Sequence, residues 1–188
     1  MKITPTEIAD VLLIEPAVFG DARGYFFESY SQKRYGELGL AVEFVQDNVS
    51  RSQRGILRGL HLQSPPSSQG KLVSCVLGEV YDVAVDARLG SATFGKFVGV
   101  YLTAENKRQL YIPPGFAHGF CVTSDEAIFT YKCTAYYDPK AELSVAFDDP
   151  ALGIPWPIEK PILSKKDVEG LRLADVPEER LLRFASRS

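Results

Sequence analysis

Histidine is the scarcest chemistry-bearing side chain here: only His61 and His118 occur in 188 residues. A catalytic zinc or iron site calls for about three good protein ligands. Cysteine does not make up the shortfall. Cys75, Cys121 and Cys133 are odd in number and widely spaced, with no paired spacing for zinc. Two of them sit in apolar, strand-like runs, where buried inert thiols are expected, and a reducing cytoplasm fits. There is no basic excess either: 21 Lys and Arg face 24 Asp and Glu, a net charge of −3. That balance argues against a nucleic-acid binder held by a general basic surface, so any cation-rich site must be local. No run approaches the roughly 20 apolar residues of a membrane span. Met1 to Asp10 has no apolar stretch after its one lysine, so no secretory signal is expected. Nor does any repeat, low-complexity tract or linker divide the chain. What is present, a 45% hydrophobic fraction, suffices for a core, and a single domain over 1–188 is expected.

The pattern is of short strands punctuated by turns. Lys71 to Leu77 and Val80 to Asp86 read as two β-runs joined by Gly78-Glu79, a two-residue hairpin signal. In the second run Tyr81, Val83 and Val85 alternate with Asp82, Ala84 and Asp86, which puts two carboxylates on one face. Phe97 to Leu102, Gln109 to Ile112, Gly119 to Thr123 and Ala127 to Cys133 continue the series at a spacing of about ten residues, which signals a sandwich or barrel. Helical signal is confined to the flanks. Ser31 to Gly39 reads as a short helix with Ser31 as N-cap and a glycine stop. Ser164 to Asp167 opens a second, and Pro177 to Phe184 a third. Asp149 to Pro161, with four prolines and the only tryptophan, reads as an irregular wrap over the core.

Each histidine lies in a glycine-flanked segment: Arg58-Gly59-Leu60-His61-Leu62-Gln63, and Pro113-Pro114-Gly115-Phe116-Ala117-His118-Gly119-Phe120. Histidine exchanges protons near neutral pH, so two of them near a lysine and several tyrosines suggest proton transfer on an anionic substrate. A small barrel with histidines in two motifs resembles a cupin. Metal cupins bring a His-x-His pair, whereas Gln63 stands at the second position here, so no metal is expected.

Longer stretches carry a closer resemblance. Phe19 to Glu28, Gln46 to Ser50, Gly55 to Gln63, Gln69 to Val73, Asp82 to Asp86, Pro114 to His118, Tyr131 to Cys133 and Ser164 to Asp167 occur in order along nearly the whole chain. Together they resemble the dTDP-4-dehydrorhamnose 3,5-epimerases. The resemblance implies an all-β, cupin-like jelly roll with short flanking helices, working as a homodimer whose N-terminal arms are exchanged. It implies no cofactor, and dTDP-4-dehydro-6-deoxy-D-glucose as substrate. Inversion at C3 and C5, the carbons flanking the C4 ketone, needs a base on one face, an acid on the other and a cation or donor at the enolate oxygen.

By that resemblance His61 is the base, oriented by Asp167, and Tyr131 the acid, with Lys71 at the developing oxyanion. Taken alone, His61 could be a core histidine, Asp167 a first-turn helix acid, Tyr131 a packing ring and Lys71 a solvated strand end. Arg58 would bind the diphosphate or sugar through its planar fork. Arg23 and Glu28 would reach the nucleotide in the partner's site if the arms cross. Gln46, Asp47 and Asn48 would offer amide and backbone groups, and His118 would bind the sugar or tune the pocket, with Asp82 as its partner. Tyr137 matches the position that stacks on thymine, with Tyr136 as the adjacent alternative. Glu142 and Lys166 match further substrate contacts. Three other readings stay open: a mono-epimerase or ketoisomerase on the same barrel, a sugar-nucleotide-binding cupin without turnover, and a metal-dependent cupin.

Overall fold

Alternating side chains become two facing antiparallel sheets in the computed structural model, which describes residues 1–185. The last three residues of the span expected as one domain lie outside that description. The strands are β1 (Lys2–Pro5), β2 (Leu12–Glu15), β3 (Val18–Asp21), β4 (Gly24–Phe27), β5 (Gln46–Gln53), β6 (Leu57–Gln63), β7 (Lys71–Leu77), β8 (Glu79–Asp86), β9 (Phe97–Thr103), β10 (Gln109–Ile112), β11 (Phe116–Val122), β12 (Glu126–Cys133) and β13 (Glu142–Ser144). One sheet runs β1-β2-β10-β7-β12-β5 and the other β13-β6-β11-β8-β9, while β3 and β4 pair with each other as a separate two-stranded sheet. The fold is the mostly-β sandwich expected.

Three apolar clusters follow from the two-residue period. Val73 and Phe129 of the first sheet meet Ala84, Val98 and Phe120 of the second, which fills the space between the sheets. Tyr81, Val83 and Val85 project from the opposite face of β8, where Leu152, Trp156 and Leu173 cover them. The irregular stretch from Asp149 to Pro161 therefore is a wrap, pinned where Trp156 Nε1 donates to the Phe147 carbonyl at 2.8 Å. On the outer side of the first sheet, Leu72 and Tyr111 lie under Tyr35 and Leu40. Tyr35 belongs to α1 (Gln32–Glu37), whose N-cap is Ser31.

Two expectations are corrected. Gly78-Glu79 does not close a hairpin, because β7 pairs with β10 and β12 whereas β8 pairs with β9 and β11. Gly78, at φ +76°, is where the chain crosses between sheets, and a Cβ there would overlap the Glu126 carbonyl. The third helix shrinks to a single 3₁₀ turn, Glu178–Arg180. Beyond it the chain runs extended, with Phe184 N donating to the Leu89 carbonyl at 2.8 Å. The second helix, α2, is short (Lys165–Val168) but begins where expected.

Candidate active site

Toward one end, the space between the sheets opens into a cavity of about 440 Å³, within the range that holds small ligands. Its walls are β5, β6, β7, β11 and β12. His61 and His118 are directly opposed on β6 and β11, so both side chains face the same way. Arg58, three residues before His61, would point away from it on a regular strand. Between His118 and Phe120 the register shifts, so three residues of β6 oppose two of β11. That bulge turns Arg58 and His61 into the same cavity. It depends on Gly59, at φ +129°, where a Cβ would collide with the backbone of Gly119 and the His118 carbonyl.

Asp167 is buried, with 3% of its surface exposed, and joins α2 to β6. Its Oδ1 lies 2.6 Å from His61 Nε2 and accepts from Gly59 N at 3.3 Å. Its Oδ2 accepts from Ser164 N at 3.2 Å and Ser164 Oγ at 2.5 Å. Burial alone would raise its pKa, but the hydrogen bonds from His61 and Ser164 outweigh that and hold it at about 2. The helix-cap role and the histidine-partner role are thus carried by one carboxylate.

On the facing sheet, inward residues alternate with outward ones. Tyr131 and Cys133 of β12 and Lys71 of β7 line the cavity. Lys71 is only 9% exposed, and among the described residues no hydrogen-bond acceptor pairs with its ammonium. Burial pulls its pKa down, opposed by the nearby Asp82 and Glu142 carboxylates. Burial pushes the Tyr131 phenol up, so it carries its proton at neutral pH, and it too has no hydrogen-bond partner among the described residues. His118 Nε2 lies 2.8 Å from Asp82 Oδ2, the partner expected for it. Below them Phe120 and Phe129 stack at 4.2 Å.

At the mouth, Glu142 accepts from Lys166 Nζ at 2.6 Å and from the Tyr137 hydroxyl at 3.1 Å. Burial would raise the Glu142 pKa, but Lys166 holds it lower. Gln46, Asn48 and Tyr137 also line the cavity, whereas Tyr136 does not.

Three expected residues are elsewhere. Asp47 alternates out of the cavity on β5 and pairs with Lys132 at 2.9 Å on the outer face. Arg23 is bound to Asp21 at the tip of the exposed β3–β4 hairpin, and Glu28 faces Arg34 at 3.6 Å. None of the three lines the cavity of its own chain. The polar side chains of Ser50, Gln63 and Gln69, which the motifs did not single out as site residues, also line it. The polar alternation Gln46, Asn48, Ser50, Ser52 was a usable signal for Ser50. Among the described residues no group of three or more His, Cys, Asp or Glu side chains is placed to hold a metal.

Known proteins share this architecture. The sequence profile of the dTDP-4-dehydrorhamnose 3,5-epimerases matches residues 5–175. The dTDP-4-dehydrorhamnose 3,5-epimerase of Shigella flexneri is 57% identical over 176 residues, 93% of this chain and 97% of that protein. A Streptomyces niveus dTDP-4-dehydrorhamnose 3-epimerase is 40% identical, over 97% of this chain and 88% of its own. The crystal structure of the Legionella pneumophila Philadelphia 1 dTDP-6-deoxy-D-glucose-3,5-epimerase, in complex with dTDP-4-keto-L-rhamnose, superposes with a TM-score of 0.95. It is 55% identical and covers 98% of this chain and 99% of that one. Matched along almost its whole length in sequence and in fold, the chain belongs to the dTDP-4-dehydrorhamnose 3,5-epimerase family of sugar-nucleotide isomerases.

Proposed function

We propose that this chain inverts C3 and C5 of dTDP-4-dehydro-6-deoxy-D-glucose to give dTDP-4-dehydro-L-rhamnose, in dTDP-L-rhamnose biosynthesis, using side chains alone. The observation that carries the mechanism is the opposition of His61, on one sheet, to Tyr131 and Lys71, on the other, across one cavity. With Nε2 held by Asp167, the His61 lone pair available to substrate is on Nδ1. It takes the proton α to the C4 ketone, and the C–H pair becomes the enolate. Asp167, ionised down to about pH 2, stabilises the imidazolium formed. The Lys71 ammonium meets the enolate oxygen in a site where burial strengthens the attraction. Tyr131 then protonates the carbon from the opposite face. Solvent takes the His61 proton and returns one to Tyr131, so the second carbon is inverted by the same groups.

Arg58 and Lys166 suit the diphosphate, Tyr137 the thymine face, Gln46 and Asn48 the nucleoside, and His118 and Glu142 the sugar. The Legionella relative was crystallised with dTDP-4-keto-L-rhamnose, which supports this ligand class. The homodimer is part of the same reading. Among the described residues the β3–β4 hairpin pairs only with itself, and it leaves Phe19, Tyr25 and Phe26 exposed. Its docking on a second copy would bury those rings and bring Arg23 and Glu28 to the partner's nucleotide. Asp47 would contribute through its backbone. A cytoplasmic enzyme accords with the three free, buried cysteines.

Proton NMR of the substrate in deuterated water, with the chain and no added metal or cofactor, tests the reading. Loss of both the C3 and C5 proton signals is expected. Loss at one carbon would replace it with mono-epimerisation, an outcome kept open by the Streptomyces niveus 3-epimerase. No loss at either carbon would reject catalysis on this substrate.

A further inference from the structure

Tyr137 stands on a loop whose order has little to do with apolar burial. Tyr136 is 71% and Tyr137 49% exposed. Yet the backbone of this loop is fastened by three glutamine side chains from three separate segments. Gln69 Nε2 donates to the Ala135 carbonyl at 2.7 Å, Gln46 Oε1 accepts from Tyr137 N at 3.0 Å, and Gln63 Oε1 accepts from Asp138 N at 2.8 Å. Gln63 and Gln69 are themselves buried, 5% and 7% exposed. Glutamine loses more side-chain entropy on burial than most residues, and its amide must be re-paired when desolvated. Two such side chains spent on a loop with exposed rings argue that the loop's position matters to something outside the core. Gln63 is the residue at the second His-x-His position of a metal cupin, so its amide has a use that metal binding would not explain.

We infer that Gln63 and Gln69 are positioning residues for nucleotide recognition, holding the loop from Thr134 to Asp138 so that the Tyr137 ring is fixed at the cavity mouth before ligand arrives. The inference rests on the proposed role of Tyr137 as the thymine-stacking residue. A ring already held in its bound place spares the ligand the cost of ordering the loop, which strengthens binding without any new contact. Both glutamines also line the cavity, but their amides are engaged with the loop backbone, so a role exerted through the Tyr137 ring predicts a loss in affinity that depends on that ring and leaves the chemical step alone.

The test compares Gln63→Met, Gln63→Glu, Gln69→Met, Tyr137→Ala and the Gln63→Met/Tyr137→Ala double variant, each checked for folding by thermal melting. KM and kcat are measured on the sugar nucleotide, with inhibition constants for dTDP and for pyrophosphate. Gln63→Met and Gln69→Met should each raise KM and the dTDP constant about 5- to 10-fold, with kcat within about twofold and the pyrophosphate constant unchanged. Gln63→Glu, which keeps the acceptor oxygen, should recover most of the loss. In the Tyr137→Ala background, Gln63→Met should add less than about twofold, because the ring it positions is gone. Additive losses, or kcat falling in step with affinity, would overturn the positioning role. Tyr137→Ala weakening dTDP while both methionine variants leave it unchanged would overturn it alone. Tyr137→Ala leaving dTDP binding intact would remove the stacking assignment beneath it as well.

Discussion

Replacing Asp167 by asparagine separates two roles that one carboxylate performs. The aspartate accepts four hydrogen bonds, from Gly59 N and His61 Nε2 on one oxygen and from Ser164 N and Ser164 Oγ on the other. Asparagine offers a single acceptor oxygen, so whichever way the amide turns, one pair of donors faces an NH₂ group. If the oxygen stays with His61, the α2 cap is lost at about 1 kcal/mol. If it turns to Ser164, a buried donor on the β6 side is left without its charged acceptor, at about 1–3 kcal/mol. Destabilisation of about 1–3 kcal/mol is expected, read from urea unfolding followed by the fluorescence of Trp156, the only tryptophan. The catalytic loss should be larger. Without the carboxylate the imidazolium loses its hydrogen-bonded counter-charge and His61 the partner fixing its tautomer, so kcat should fall by about 10²- to 10⁴-fold. Ser164→Ala is the control. It removes the cap hydroxyl but keeps the charge, so stability should drop by about 1 kcal/mol with kcat within about threefold. Equal falls in kcat for the two variants, or a loss under tenfold for Asp167→Asn, would refute the argument by making Asp167 a helix cap only.

His61→Ala should abolish solvent exchange at both C3 and C5 while leaving dTDP affinity nearly intact, and exchange surviving at a near-normal rate would remove His61 as the base. Tyr131→Phe should slow completed inversion more than initial proton removal, measured as product formed against deuterium incorporated; equal losses would reduce Tyr131 to holding the ring. Acid stability carries a signed prediction. The Asp167 pKa is lowered from 3.8 to about 2 in the folded chain, so this group's contribution of about 2 kcal/mol is fully present above the unfolded value. It is lost as pH falls through the folded one. Urea midpoints at pH 5.5 and 2.5 should therefore differ less for Asp167→Asn than for the unaltered chain, and an unchanged difference would contradict the low pKa.

Where a single strand sits between two different environments, the residues themselves announce it. The alternation in β8 correctly separates Tyr81, Val83 and Val85 from Asp82 and Ala84, and it held because each set meets its own apolar layer. Its two carboxylates are both buried: Asp82 faces His118, while Asp86 binds Arg88 at 2.7 Å. Which strand lies beside which is a different question. Gly78-Glu79 has the composition of a tight turn, yet the pairing of β7 and β8 is settled by what lies across the sandwich, and no two-residue signal contains that. Pro177 to Phe184 failed for a related reason. A helix there would withdraw Leu181 from the layer over β8 and break the extended pairing with Leu89.

The site was legible to different depths for equally physical reasons. Motif resemblance reached His61, Asp167, Tyr131, Lys71 and the mouth residues, all of which the cavity gathers. Asp47 shows its limit: neighbours in a motif are placed on opposite faces by the strand period, and its carboxylate answers to Lys132 instead. Arg58 shows the converse. By the same period it should turn away from His61, and only the bulge at Gly59 brings the guanidinium and the imidazole together. The separation in sequence therefore understates the need for that glycine. Gly59→Ala would press a Cβ into Gly119 and the His118 carbonyl, and relieving the clash means straightening β6. A straightened β6 cannot aim both side chains inward, so the variant should lose substrate affinity through Arg58, or exchange activity through His61, even where its fold survives. Retention of both by a folded Gly59→Ala chain would show that the bulge is not what unites them.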